Sequence, residues 1–261
     1  MPESEADLAL LLRAARAGGE VAMAHVAVPL DITDKPDGAG PVTQADLAVN
    51  ARLSDVLRTE RPDYGWLSEE SAHDPHRAAA PATFVIDPID GTRSFIGRER
   101  TWAISIAVVR DGRPVAAVVH MPAMGFTYSA SAGGGAHRDD RPLRASRAEG
   151  LARARVLATK PSMRSEHWEG DPPELHRSHR PSLAYRLCLV AEGRFDAMFT
   201  FRPSWEWDIA AGALICAEAG ATVTDSWGAP LVFNSPEALT PGVICAAPGL
   251  HEALMARRPR P

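Results

Sequence analysis

Near the start of the chain, apolar residues recur at helical spacing. Leu8, Leu11, Leu12, Ala15 and Val21 share one side of a 3.6-residue repeat, which predicts an amphipathic helix over 4–28. The following "DITDKPDGAGPVTQAD" is dense in Asp, Gly and Pro and reads as a loop. Thr43 stands where it can cap a second helix, one that must end before Pro62 and Gly65. "GWLSEES" reads as a short strand closed by two glutamates, "AHDPHRAAAPA" as a surface loop and "TFVID" as a strand.

The pattern then changes to runs rich in Val and Ile. "TWAISIAVVRDGRPVAAVVHMP" is two strands joined at an Asp-Gly pair, a strong hairpin signal. "GFTYSASAGGGAHRDDRPLRAS" continues with strands and turns, so the first half predicts helices followed by a mostly antiparallel sheet. "RARVLATK" opens a second sheet region, and "PSMRSEHWEGDPPELHRSHRPS" reads as a solvated loop. "LAYRLCLVAEGRFDAMFTF" mixes helix and strand signals. "WDIAAGALICAEAGATVTD" predicts a helix stopping at Gly220 and then a strand. The expectation is an α/β or α+β chain of two lobes, residues 1–150 and 151–261.

Composition narrows the partners. The chain has 261 residues and a net charge of -5, which argues against a nucleic-acid polymer as partner, because tracking phosphates needs a basic face. Cys188, Cys216 and Cys245 lie far apart in apolar runs and read as buried free thiols of a reducing compartment. The N-terminus lacks the basic region of a signal peptide. No apolar run is long enough for a bilayer. A cytoplasmic protein with no membrane partner is expected.

Candidate chemistry is carried by acids that end apolar segments. Glu69 and Glu70 follow "GWLS", Asp87 and Asp90 follow "TFVI", and Asp208 follows "WEW". Carboxylates so close repel one another and resist burial, and a divalent ion offsets that cost; Mg²⁺ takes hard oxygen ligands of this kind. Pro88 keeps Asp87 out of helical conformation, and Gly91 lets the backbone approach a ligand. A helix beginning at "GTRSF" would point free N–H groups at an anion. Taken singly, each motif also suits a solvated turn or a helix cap; the reading rests on all three together.

"WLSEES", "IDPIDGTRSF" and "WDIAAGALICAEAGA", with "KPDGAGPVTQAD", "GGGA" and "LVAEG", resemble the inositol monophosphatase superfamily of Mg²⁺-dependent, often lithium-sensitive phosphatases. The likeness spans roughly residues 35 to 225. Ser68 departs from it, since many members carry glycine there. The resemblance implies a layered α-β-α-β-α fold with two mixed or antiparallel sheet regions, a small phosphorylated metabolite as substrate, and in many members a homodimer. It implies two to three Mg²⁺ ions, with Li⁺ as an inhibitor. Glu69, Asp87 and the Ile89 carbonyl would hold the first ion, Asp87, Asp90 and Asp208 the second, and a third would sit near Glu69. Gly91 and Thr92 would place the phosphate. Asp46 and Thr92 would position the attacking water, with Glu69 counted beside them as catalytic. Lys35 belongs to a loop that closes over the metals, and Glu70 is an outer helper.

Substrate choice is expected in the second lobe. Arg186 follows "SLAY", where bisphosphate-nucleotide members often carry a basic residue, and it could grip a second phosphate. The favoured expectation is a 3′(2′),5′-bisphosphate nucleotidase, with an inositol-1-monophosphatase next and a histidinol-phosphate phosphatase third. A non-catalytic phosphate-binding regulator is the alternative of another class. A zinc hydrolase fits less well, because the candidate ligands are almost all oxygen donors.

Overall fold

A computed structural model describes residues 3–35 and 40–259. Helix α1 spans Glu3–Val26. A short hairpin of β1 (Ile32–Asp34) and β2 (Pro41–Thr43) leads into α2 (Gln44–Glu60). Thr43 caps α2 as expected: its hydroxyl accepts from the Ala45 N–H, while Asp46 reaches back to the Thr43 N–H. The buried face of α1 is not quite the predicted one. Leu10, Leu11, Ala14, Ala15, Gly18, Gly19 and Ala22 face the core, and Leu8 and Leu12 flank it. Small residues dominate that face because α1 packs closely on α2 and on the sheet.

The first sheet follows in chain order: β3 (Gly65–Ser68), β4 (Thr83–Asp90), β5 (Ala103–Arg110), β6 (Arg113–Met121), β7 (Phe126–Ser131), β8 (Gly135–Arg138) and β9 (Arg141–Pro142). Among the described residues these seven strands lie side by side, antiparallel except for β3 on β4. Asp111 and Gly112 both adopt positive φ between β5 and β6, the turn the Asp-Gly pair predicts. The "AHDPHRAAAPA" segment is more ordered than a plain surface loop: Pro75–Ala79 form a 3-10 turn and Arg77 is buried.

The second sheet is built from β10 (Arg155–Leu157), β11 (His176–Ser178), β12 (Ala197–Thr200), β14 (Thr222–Thr224) and β16 (Val243–Ala246), in the order β11-β10-β12-β16-β14. Strand β11 lies inside the stretch expected as a solvated loop; it pairs parallel to β10 at the edge, where a polar strand needs only one neighbour. A separate pair joins β13 (Ser204–Trp205) to β15 (Leu239–Thr240). Helices α4 (Leu183–Ala191) and α5 (Glu206–Glu218) sit between the two sheets, and α6 (Pro248–Met255) covers the far side. The five-residue α3 (Thr92–Ile96) follows β4.

Alternation along β4 separates two cores. Phe84 and Ile86 face α1 and α2, with Leu53, Leu57 and Ile106. Val85 faces α4 and α5, with Leu187, Ile209 and Ala107. Each large apolar side chain so buried contributes ~1.5–3 kcal/mol. Helices α4 and α5 pack tightly because position 212 is glycine: a Cβ there would lie 2.6 Å from the Leu187 Cβ. The layers therefore run α-β-α-β-α, as the family resemblance implies. Among the described residues no helix is long and apolar enough to cross a membrane. All three cysteines are buried and free.

Candidate active site

Asp87 and Asp90 are three apart, so a regular strand would send them to opposite faces. The ladder between β4 and β5 prevents this. Asp87 pairs with Ser105 and Asp90 with Ala103, a register shift that places one extra residue on β4. Ile89 is thereby turned into the core beside α1 and α2, and both aspartates face α4 and α5. Asp87, Asp90 and Asp208 each bring an oxygen within 4.8 Å of the others.

Each acid is held from a different direction. Asp87 accepts from the Ile89 N–H at 3.0 Å. Asp90 meets the N-terminus of α4: the Ser182 hydroxyl donates to it at 2.6 Å, the Ala184 N–H at 2.7 Å and the Leu183 N–H at 3.2 Å. Asp208 lies in the first turn of α5. That turn is fixed by Ser105, the cross-strand partner of Asp87, whose hydroxyl donates to the Trp207 carbonyl at 3.0 Å. Buried Glu206 braces the same turn by accepting from the Asn234 and Ser235 N–H groups.

Electrostatics set this cluster apart. Burial raises the Asp87 carboxyl well above its ordinary range, and the charges of Glu69, Asp90 and Asp208 raise it further. Asp208 is raised by burial and by Asp90 and Glu69, against the pull of Arg202 and Arg186. Burial also raises Asp90, despite its donors on α4 and the charge of Arg186. Crowded oxygen donors that resist ionisation are the donor set a hard divalent cation satisfies, so these residues fit a metal.

The other expected residues gather around the cluster. Glu69 and Glu70 share one ammonium: Lys35 Nζ lies 2.7 Å from Glu69 Oε1 and 2.6 Å from Glu70 Oε1. Burial works to lower the Lys35 pKa, but the two glutamates outweigh it and the pKa is raised. The loop that Lys35 opens passes through 36–39, which lie outside the described residues. Ser68, the departure from the family pattern, is buried; its hydroxyl donates to Asn50 Oδ1 at 2.7 Å and tethers the end of β3 to α2. Thr92 Oγ1 lies 3.3 Å from Asp46 Oδ1 and 3.2 Å from the Ile89 carbonyl. Burial raises the Asp46 carboxyl, against the two hydrogen bonds from Thr43. Gly91 caps α3 at φ 99°, a left-handed conformation that favours glycine.

A cleft of about 520 Å³ opens over these groups, lined by Glu69, the three aspartates, Gly91 and Thr92. Arg186 lines it too, only 5% exposed, with its Nε donating to the Ser182 carbonyl. It is therefore no surface arginine. Thr159, His179, Arg202 and Trp205 also line it; Thr159 and Arg202 were not singled out from sequence, because they come from loops and strand ends with no local signature. Of the three histidines between 167 and 179, only His179 lines the cleft; His167 packs on Phe201.

The inositol monophosphatase family model matches residues 4–260 of this chain. A 3′(2′),5′-bisphosphate nucleotidase CysQ of Escherichia coli O157:H7 is 35% identical over 223 residues, covering 83% of this chain and 89% of that protein. An inositol-1-monophosphatase of Rhizobium meliloti is 34% identical over 234 residues, covering 84% of each. Among solved structures, the extragenic suppressor protein suhB of Bartonella henselae superposes with a TM-score of 0.83 at 26% identity, covering 96% of this chain and 97% of that one.

Proposed function

The chain belongs to the inositol monophosphatase family and is a phosphatase, and from that premise we propose that it is a cytoplasmic Mg²⁺-dependent 3′(2′),5′-bisphosphate nucleotidase, with lithium as an inhibitor. In this reading Glu69, Asp87 and the Ile89 carbonyl hold one ion, Asp87, Asp90 and Asp208 hold a second, and a third, weaker one sits near Glu69. Bound there, the ions supply charge neutralisation for the phosphate dianion and acidify the attacking water. Most of these ligands come from residues 1–150, while residues 151–261 add Asp208 and the groups that choose the substrate.

The chain's own groups orient the reaction. Thr92 takes hold of the attacking water through its hydroxyl oxygen and accepts the proton the water gives up as its own passes to Asp46 Oδ1. Asp46, raised by burial, is suited to keep that proton. Gly91 lets the main chain approach the phosphate, and the α3 N–H groups face it. Lys35 holds Glu69 and Glu70 against the cleft.

The observation that carries the substrate reading is Arg186, a buried guanidinium in the same cleft as the carboxylates. Burying a charge is costly unless it has a partner. Burial lowers the Arg186 pKa, but the group stays charged at neutral pH. Asp90 and Asp208 favour its charge, but in this reading both are committed to metal, so a second phosphate on the substrate would be its partner; inositol 1-phosphate carries only one phosphate. The test is hydrolysis of adenosine 3′,5′-bisphosphate, inositol 1-phosphate and histidinol phosphate, with Mg²⁺ or a chelator and with or without lithium. The bisphosphate should be preferred, and Arg186→Ala should reduce its kcat/KM far more than that of the monophosphates. Equal weak activity on all three substrates would remove the nucleotide reading; a preference for inositol 1-phosphate would favour the runner-up.

A further inference from the structure

Metal ligands and phosphate groups leave the aromatic part of the cleft without a role. Trp205 is the one tryptophan of its lining and is 39% exposed. An indole left in water forgoes the burial that usually fixes it. Yet this ring is not loose. It lies parallel to the Trp207 ring, with centroids 4.7 Å apart and planes 10° from each other, and Trp207 is itself buried. The Trp205 backbone pairs with Leu239 between β13 and β15. It also caps α5, three residues before Asp208. One face of the indole is thus covered by a fixed aromatic, while the residue lines the cleft and keeps over a third of its surface exposed.

Core packing accounts for Trp207 and leaves Trp205 unexplained. A rigid, braced aromatic surface binds a flat partner without much loss of its own freedom. The same cleft holds Arg186 and Arg202, which suit anionic groups beside a flat ring. We propose that Trp205 is the stacking platform for the nucleobase of the substrate, and so the residue that separates nucleotides from phosphates without a π face. This assignment rests on the bisphosphate-nucleotide reading above.

The test compares the full-length protein with its Trp205→Ala and Trp205→Phe variants. Two ratios are read: kcat/KM for adenosine 3′,5′-bisphosphate over inositol 1-phosphate, and the inhibition constant of ribose 5-phosphate over that of AMP. Loss of one base stack predicts about a tenfold fall of both ratios in Trp205→Ala, with most of it recovered in Trp205→Phe. Ratios that do not move in the alanine variant, or a wild type that binds AMP no better than ribose 5-phosphate, would overturn the platform. A wild type that favours AMP through Trp205 but leaves the bisphosphate intact would retain the platform and remove the bisphosphate reading instead.

Discussion

Asp7 and Asp87 are both buried carboxylates, and their surroundings are opposite in sign. Asp7, wholly buried on α1, receives the Arg61 Nε at 3.1 Å and the Arg110 Nη2 at 3.2 Å. The Tyr64 hydroxyl adds a donor to it. Asp87 receives one backbone N–H and otherwise faces Glu69, Asp90 and Asp208. The first acid is neutralised by the chain itself and ties α1 to the sheet. The second is arranged so that its compensation must come from outside. Burial alone does not mark a functional acid; the sign of its neighbours does.

The largest expected effect breaks the second cluster. Asp87→Asn should lower kcat/KM by about 10³-fold, or ~4 kcal/mol, the scale of one strong transition-state stabiliser. The same change removes a repelling charge, so thermal unfolding in chelator should show a midpoint no lower than that of wild type. Loss of activity together with a marked loss of metal-free stability would mean that Asp87 is structural after all. The comparison with Asp7 would then collapse.

The converse change should act on stability. Asp7→Ala leaves two guanidiniums without their acceptor and should cost about 2–3 kcal/mol in urea unfolding, less than a fully buried pair because Arg61 and Arg110 keep partial access to water. The midpoint should fall with little change in slope. Mg²⁺ should still stabilise this variant, as ligand binding to the native state does, and should not stabilise Asp87→Asn to the same degree. A kcat/KM reduced as far as in Asp87→Asn would show that the two regions are not separable.

Much of this contrast was legible in the sequence, but only on one side. The acids of the cluster stand out because each ends an apolar run, and their ligand chemistry is local to short motifs. Asp7 did not stand out: on a helical repeat it looks like a surface residue, and its partners Arg61 and Arg110 are far along the chain. Periodicity marked out most helices and strands, but the order of the layers followed from the family resemblance alone. The register shift after Asp87 could not be read, since strict alternation predicts opposite faces for residues 87 and 90. Nor could the meeting of Asp90 with the α4 N-terminus, which joins residues more than ninety apart. Trp205 was visible as one aromatic beside Asp208, but which of the two tryptophans is buried depends on how β13 pairs with β15.

The smallest effect sharpens the comparison through pH. Asp87 and Asp208 have folded-state pKa values raised well above 3.8, by burial first and by neighbouring acids second. In chelator, the unfolded chain releases these protons near pH 4 while the folded protein keeps them longer. The folded state therefore binds more protons in that window, and stability falls as pH rises from about 4 through the raised values, by at most ~1.4 kcal/mol per pH unit for each proton. Histidines act in the opposite direction. Burial pushes His120 down to about 4 and also lowers His73 and His251, so their contribution rises with pH up to about 6.5. Asp46, Glu70 and Glu206, all raised by burial, add to the carboxylate side. The informative quantity is therefore the difference between wild type and Asp87→Asn, measured in chelator across pH 4 to 8. That difference should move in favour of the variant as pH rises, and added Mg²⁺ should reduce or reverse it by stabilising the ionised wild type. A difference that stays flat in chelator would show that Asp87 carries no electrostatic penalty, and that its neighbours already compensate it as Arg61 and Arg110 compensate Asp7.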